Sequence, residues 1–234
     1  MNAVFVRSDA VAKNTRTFWF KPERPVRYIA GQFTELYLPH DDADNRGERR
    51  WFTLSSAPSE ELLAITTNFS QEGGSTFKQI LQNLEPGAAV SLAEPMGDFV
   101  LPKDMSIPIV FAAAGIGITP MYSMVKQLHA TNEQRNLRLL YALGELEDDA
   151  FTSTFEEHGT PVSRIVKRPP ETYSGETGSL ETDRILATAD KPDETLFYLA
   201  GPELLVEKLT KEMISKGIVA DRIISDYFPG YLQF

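Results

Sequence analysis

Three short segments of this chain bring glycines, hydroxyls and a cation together at spacings that suit phosphate binding. In Ile109-Val-Phe-Ala-Ala-Ala-Gly115-Ile-Gly117-Ile-Thr119-Pro120-Met121 an apolar strand runs into two glycines and then a Thr-Pro helix start. Thr119 suits the N-cap and Pro120 the first helical position, so the helix's free N–H groups and positive dipole end face the turn, where a pyrophosphate is the natural occupant. A lone Gly-x-Gly serves equally as a plain strand-to-helix connection. In Arg50-Trp51-Phe52-Thr53-Leu54-Ser55-Ser56, strand alternation places Arg50 and Phe52 on one face, so that a cation and a flat aromatic line one groove. Further on, Gly73-Gly74-Ser75-Thr76 opens a helical stretch in which Phe77, Ile80, Leu81 and Leu84 share a face. Its backbone N–H groups and two hydroxyls make a second anion site. Singly, each feature has a bland reading as a solvated arginine, a core phenylalanine or a loop; together, in this order, they point to chemistry.

The elements that must position these residues fall into two halves. The length of 234 residues, 42% hydrophobic, suits two domains of about 100 to 130 residues. Up to Pro102, short β-rich runs at 17–21, 32–38, 51–55, 62–68 and 89–92 lie between turn signals such as Pro22, Gly31, Pro58 and Pro86-Gly87, which suggests a small antiparallel barrel. Residues 75–84 interrupt it as a helix, and 41–50 is a polar, charged loop. Beyond Pro102, apolar strands at 107–113, 137–143, 162–166 and 196–200 alternate with helices beginning near Thr119, Asp148, Leu180 and Glu203. That alternation predicts a parallel sheet with crossover helices. The boundary falls within 101–106, giving domains 1–102 and 103–234.

Composition excludes several classes. A formal net charge of −10 argues against a nucleic-acid partner, whose phosphates require a Lys/Arg excess. The absence of cysteine removes disulfides, thiol nucleophiles and cysteine-ligated zinc or iron–sulfur centres from these residues. His40, His129 and His158 are scattered and make no metal-ligand spacing, so no metal site is assigned. No apolar run approaches the roughly 20 residues of a membrane span, and Arg7, Asp9, Lys13 and Arg16 occupy the place of a signal peptide's apolar stretch. The expected location is cytoplasmic.

Over nearly its whole length the chain resembles the ferredoxin–NADP reductase superfamily. Arg50-Trp51-Phe52-Thr53 is similar to that family's Arg-x-Tyr-Ser flavin motif, and 73–76 to its flavin-phosphate turn. Gly31-Gln32-Phe33 resembles its Pro-Gly-Gln-Phe segment, and Pro95-Met96-Gly97-Asp98-Phe99 its Gly-Pro-x-Gly-x-Phe segment. The 115–120 turn resembles Gly-Gly-x-Gly-Ile-x-Pro with alanine for the first glycine, Ala200-Gly201-Pro202 resembles Cys-Gly-Pro, and Asp226-Tyr227-Phe228 resembles the terminal Glu-x-Phe. The resemblance implies an N-terminal antiparallel β-barrel that binds flavin and a C-terminal α/β parallel-sheet domain that binds the nicotinamide nucleotide.

It further implies FAD rather than FMN, NADPH or NADH as hydride donor, and a redox protein or small molecule as electron acceptor. Thr53 would set a hydroxyl near flavin N5, Phe52 would stack on the ring, and Arg50 would neutralise the flavin phosphates. Thr66 and Thr67 would face the ribityl or phosphate region, although threonines in a strand serve equally as β-formers. Asp226 would act near the nicotinamide, and Tyr231 and Phe234 would be placed to cover the ring. For the donor, the acidic run 145–149 after one strand disfavours a 2′-phosphate, whereas Arg164, Lys167 and Arg168 after the next favour it, and the balance leans slightly to NADPH. Three other readings stay open: a reductase component of an oxygenase or membrane electron-transfer complex, a non-catalytic flavin- or nucleotide-binding module, and a likeness of fold alone.

Overall fold

In the computed structural model the described residues are 1–41, 43–69 and 75–228, with the side chains of Tyr227 and Phe228 excepted. The first half forms strands β1 (Asn2–Ala12), β2 (Thr15–Pro22), β3 (Phe33–Tyr37), β4 (Arg49–Thr53) and β5 (Leu63–Asn68), helix α1 (Thr76–Gln82) and β6 (Ala89–Leu92). These strands pair antiparallel in the order β4-β3-β6-β1-β2-β5. A bridge from Leu54 to Ile65 and a bond from Ser55 N–H to the Ala64 carbonyl bring the two edges together, closing the sheet into the expected barrel. Phe5, Phe18, Phe20, Leu36 and Ile65 fill it, and α1 plugs one end with Phe77 and Leu81.

Strand β1 is absent from the sequence reading for a physical reason. Its register shifts between Phe5 and Arg7 and again between Ala10 and Ala12, so only Ala3 and Phe5 show the inward alternation that marks a strand.

The second half forms β7 (Ile109–Ala114), α2 (Thr119–Thr131), β8 (Leu137–Leu143), α3 (Thr152–Glu157), β9 (Val162–Val166), β10 (Glu176–Thr177), α4 (Thr182–Thr188), β11 (Leu196–Pro202), α5 (Glu203–Ser215) and β12 (Ile223–Phe228). The strands pair in parallel in the order β10-β9-β8-β7-β11-β12. Every residue of β7 is buried, as a central parallel strand covered by helices on both faces requires. Helices α2 and α3 cover one face and α4 and α5 the other. Strand order reverses between β7 and β11, so the turns after these two strands flank the switch point where α/β sheets bind ligands. Short β10 and edge strand β12 also lie outside the predicted set. Among the described residues no helix is long and apolar enough to cross a membrane.

One expectation is corrected. The chain winds before Thr119, in a 3-10 turn over Gly115–Ile118, so Ile118 takes the N-cap position of α2. Thr119 is consequently inside the helix, buried, with its hydroxyl donating to the Ile116 carbonyl at 3.0 Å.

The two halves share a core. Ala30 and Phe99 of the first half pack with Met124 of α2 and Tyr198 of β11. Phe99 meets the Tyr198 ring edge-on at 5.1 Å, and the Tyr198 hydroxyl donates to the Val100 carbonyl at 2.7 Å. Burial pushes that phenol's pKa up to about 12, so it remains a donor. Tyr198→Phe leaves the Val100 carbonyl without this bond and should lower stability by about 1–2 kcal/mol. The expected result is a lower urea midpoint with an unchanged m-value; an unmoved midpoint contradicts the assignment.

Candidate functional site

A cleft of about 1680 Å³ separates the barrel from the carboxyl ends of the parallel strands. That exceeds the roughly 300–1,000 Å³ of an ordinary small-molecule site and leaves room for two ligands. Its barrel wall carries Arg50, Trp51, Phe52 and Thr53 of β4, Thr66 and Thr67 of β5, and Ser75 and Thr76 at the start of α1. The opposite wall carries Gly115 and Thr119 after β7, the end of β8 from Tyr141 to Gly144, Lys167 and Arg168 after β9, and Pro202 and Leu204 after β11.

Arg50 is not a solvated surface charge. Its side chain is 8% exposed, and Nη1 donates to the carbonyls of Arg46, Gly47 and Arg49 at 2.7–2.8 Å. Nη2 donates to Asp44 Oδ1 at 2.7 Å, and the guanidinium lies 5.1 Å over the Phe77 ring. Phe52 meets the same ring at 6.0 Å, as the predicted shared face requires. Arg50 Nε is buried and has no partner among the described residues, and neither has Thr53 Oγ1. An orphaned buried donor costs about 1–3 kcal/mol, recovered when a ligand accepts from it. Thr66 is already satisfied, its hydroxyl bonding Thr17 Oγ1 at 2.8 Å and Ser55 Oγ at 2.7 Å.

The α1 hydroxyls are also in use. Ser75 Oγ accepts the Lys78 N–H at 3.3 Å, and Thr76 Oγ1 accepts the Asp44 N–H at 3.2 Å and bonds His40 Nε2 at 3.1 Å. Thus the polar, charged loop between β3 and β4 ties Arg50 to the start of α1 through Asp44. The backbone bond from Arg46 and the Arg50 guanidinium outweigh the opposing effect of burial and hold the Asp44 carboxyl below the usual range. Nothing in the sequence of that loop singles out Asp44 from its acidic neighbours.

Across the cleft, Gly115 has φ +53°, a conformation that favours glycine, and no side chain caps the 3-10 turn it begins. Its free N–H groups are therefore available to an anion. A Cβ on Gly117 would stand 2.4 Å from the Ala200 carbonyl oxygen and 2.6 Å from Gly201 N, so the turn after β7 can pack against the end of β11 only with glycine there. Pro120 and Gly201 are buried behind these turns and Pro202 reaches the cleft. Asp226 lies on β12 paired in register with Ala200, and Phe228 with Pro202; Asp226 is not among the cleft-lining residues. Gly73, Gly74, Tyr231 and Phe234 lie outside the described residues.

Sequence reading missed Tyr141, Lys78 and Phe151, which line the cleft. Tyr141 is fully buried, which raises its phenol pKa well above the ordinary value, and burial in a strand is the only property its sequence context reveals.

Residues 111–211 match the family model for the oxidoreductase NAD-binding domain. The chain is 25% identical over 231 residues to flavohemoprotein A of Dictyostelium discoideum, covering 93% of this chain and 57% of that protein. It is also 25% identical to the CDP-6-deoxy-L-threo-D-glycero-4-hexulose-3-dehydrase reductase of Yersinia pseudotuberculosis, covering 96% of this chain and 66% of that one. The chain thus spans about three fifths of the flavohemoproteins it matches, 57% in one case and 60% in another. Among solved structures it is similar to the FAD/NAD-binding domain of nitric oxide dioxygenase from Vibrio cholerae, with TM-score 0.82, 22% identity, and 97% of this chain and 98% of that one covered. It is likewise similar to a ferredoxin–NADP+ reductase from Neisseria gonorrhoeae with bound FAD and NADP, with TM-score 0.81, 18% identity and the same coverage. Residues 111–211 thus resemble the oxidoreductase NAD-binding domain, and the two halves together have the ferredoxin–NADP reductase fold.

Proposed function

We propose that this chain is a flavin-dependent oxidoreductase that takes hydride from NAD(P)H and passes the electrons to a separate redox protein or small-molecule acceptor. The observation that carries this reading is the unpaired Thr53 hydroxyl, buried on the barrel wall of a cleft whose other wall is the NAD-binding domain. Residues 1–102 form the flavin-binding unit and 103–234 the nicotinamide-binding unit. When bound, FAD supplies a ring that accepts a hydride as an electron pair and can release electrons one at a time.

The chain's own residues bind and orient. Thr53 donates to the flavin ring, and Phe52 with the Trp51 backbone forms the strand edge along which the ring lies. Arg50 Nε remains for a phosphate oxygen of the flavin, with Ser75 and Thr76 on the same wall; Thr66 and Thr67 border the chain that links ring to phosphate. FAD rather than FMN is the flavin of this reading, since Asp44 and Arg46 of the loop before β4 line the cleft together with Arg50. Opposite, the N–H groups from Gly115 to Gly117 hold the nicotinamide nucleotide's pyrophosphate, Thr119 and Pro120 fix the helix behind them, and Gly201 with Pro202 bounds the nicotinamide. With alanine at position 200 no thiol orients that ring, so placement depends on packing. Asp226, on the neighbouring strand, acts as an electrostatic boundary, and Phe228 ends that strand. The same reading accommodates a reductase component of an oxygenase or membrane electron-transfer complex.

The test is an absorbance spectrum of FAD-loaded protein, taken anaerobically before and after stoichiometric NADPH and, separately, NADH. Bleaching of the bound-flavin band by either nucleotide is expected; bound flavin that neither reduces contradicts the reading. In the same assay Thr53→Ala should slow bleaching by about tenfold or more, the worth of one hydrogen bond of roughly 1.4 kcal/mol. Thr53→Ser, which keeps the hydroxyl, should restore most of the rate, and equal rates in all three proteins would remove Thr53 from the site.

A further inference from the structure

Tyr28, Tyr141 and Tyr198 are the tyrosines whose phenol pKa values burial raises most. A buried phenol ordinarily finds a hydrogen-bond partner, because without one it carries a desolvation cost that a phenyl ring escapes. Two of the three have theirs. The Tyr28 hydroxyl bonds the Ser56 carbonyl at 2.9 Å and Ser56 Oγ at 2.8 Å, and the Tyr198 hydroxyl donates to the Val100 carbonyl at 2.7 Å. Tyr141 is only 2% exposed, yet its hydroxyl makes no hydrogen bond to any described residue.

Its surroundings leave that hydroxyl to the cleft. Tyr141 lies in β8, in register with Ala113 of β7 on one side and Arg164 of β9 on the other, and belongs to the core that Ile118, Phe151 and Phe155 build beneath α2 and α3. The charges that bear on the phenol are Asp149 and Asp148, and both are engaged elsewhere. Asp149 accepts from Arg164 Nε at 2.7 Å and from the Thr152 N–H at 3.2 Å, and Asp148 Oδ2 accepts the Glu145 N–H at 2.9 Å. Tyr141 nonetheless lines the cleft with Gly115, Ile116 and Thr119, and its oxygen is not among the sealed, unpartnered polar atoms, so the small part of the residue left open includes the hydroxyl. The end of β8 touches the 3-10 turn over Gly115–Ile118, which no side chain caps. Burial and the two carboxylates keep the phenol protonated, so it is a neutral donor waiting for an acceptor oxygen.

We propose that the Tyr141 hydroxyl is a binding group for the nicotinamide nucleotide, donating to the pyrophosphate on the 115–117 turn, and that the empty protein is less stable for carrying it. This rests on the proposed function and deepens it by adding one side-chain donor to an anion site otherwise made of backbone. A phenyl ring at position 141 would fill the same core volume without an orphaned polar atom, so packing alone does not account for the hydroxyl. Donors on the turn before α2 and on the neighbouring strand reach the pyrophosphate from two elements, which restricts its orientation more than the turn alone.

Two measurements on the whole protein with FAD present test it, comparing the native chain with Tyr141→Phe. The first is calorimetric titration with ADP-ribose, which carries the pyrophosphate and both riboses but no nicotinamide. Tyr141→Phe is expected to weaken binding about tenfold or more, the effect of one hydrogen bond to a charged oxygen. The second is urea unfolding without nucleotide. Tyr141→Phe should hold or raise the midpoint, whereas Tyr198→Phe, which removes a bonded hydroxyl, lowers it. Unchanged ADP-ribose affinity overturns the proposal. So does a lowered Tyr141→Phe midpoint, which would give the hydroxyl a partner inside the protein, and so does a loss of FAD affinity with ADP-ribose binding intact, which would assign the hydroxyl to the flavin. ADP-ribose neither gives nor takes a hydride, so these outcomes stand apart from the bleaching assay. Weaker ADP-ribose binding by the variant, with no flavin reduction in the native chain, would sink the oxidoreductase reading alone; flavin bleached by either nucleotide, with equal ADP-ribose affinities, would sink this one alone.

Discussion

The fixed apposition of barrel and sheet is the constraint on which everything else depends, and a few close contacts enforce it. Gly31, with φ +101°, sits where a Cβ would stand 2.1 Å from the Phe99 carbonyl oxygen and 2.5 Å from the Met124 side chain. Only glycine lets this turn pass so close to the Phe99 backbone, where Met124 of α2 also packs. Ser123 of α2 donates to the Ser56 carbonyl at 2.5 Å, which also receives the Tyr28 hydroxyl at 2.9 Å, and Lys126 pairs with Glu60. Because these bonds and the Phe99–Tyr198 contact are buried or half-buried, they resist shear more firmly than the exposed Lys13–Glu145 pair could. The cleft is therefore a built feature of the fold.

Within that frame the polar groups divide into those that build the site and those left for a ligand. Arg50 serves mainly as the hub of its own loop, binding three carbonyls and Asp44, which keeps β4 and the start of α1 in register. Thr53 Oγ1 and Arg50 Nε are the remainder. On the facing wall, the same division leaves the uncapped turn at Gly115 and the cations at Lys167 and Arg168. Residues that satisfy one another position the wall, and the unsatisfied ones define its ligand.

Local patterning explains which parts of this were legible in sequence. The switch-point turn could be read because an apolar run, two glycines and Thr-Pro each constrain the backbone locally, and β7 and α2 follow within one residue or two of expectation. Even there, the exact cap was beyond reach, since the preceding 3-10 turn depends on Gly117 packing against Ala200, a contact between distant segments. Strand β1 was hidden by its two register shifts, and β10 is too short to leave a period. Charge partners were least legible of all. The acidic run 145–149 looked like a uniform repulsive patch, yet Glu145 pairs with Lys13 and Asp149 with Arg164, 132 and 15 residues away.

The central claim is that these two walls hold flavin and nicotinamide in one fixed relation. NADPH labelled with deuterium separately at each of the two hydrogens of nicotinamide C4 tests it most directly, by mass analysis of the NADP+ formed when FAD-loaded protein is reduced. A fixed cleft presents one face of the nicotinamide, so the deuterium should be lost completely from one labelled form and retained in the other. Loss from both forms would contradict the account.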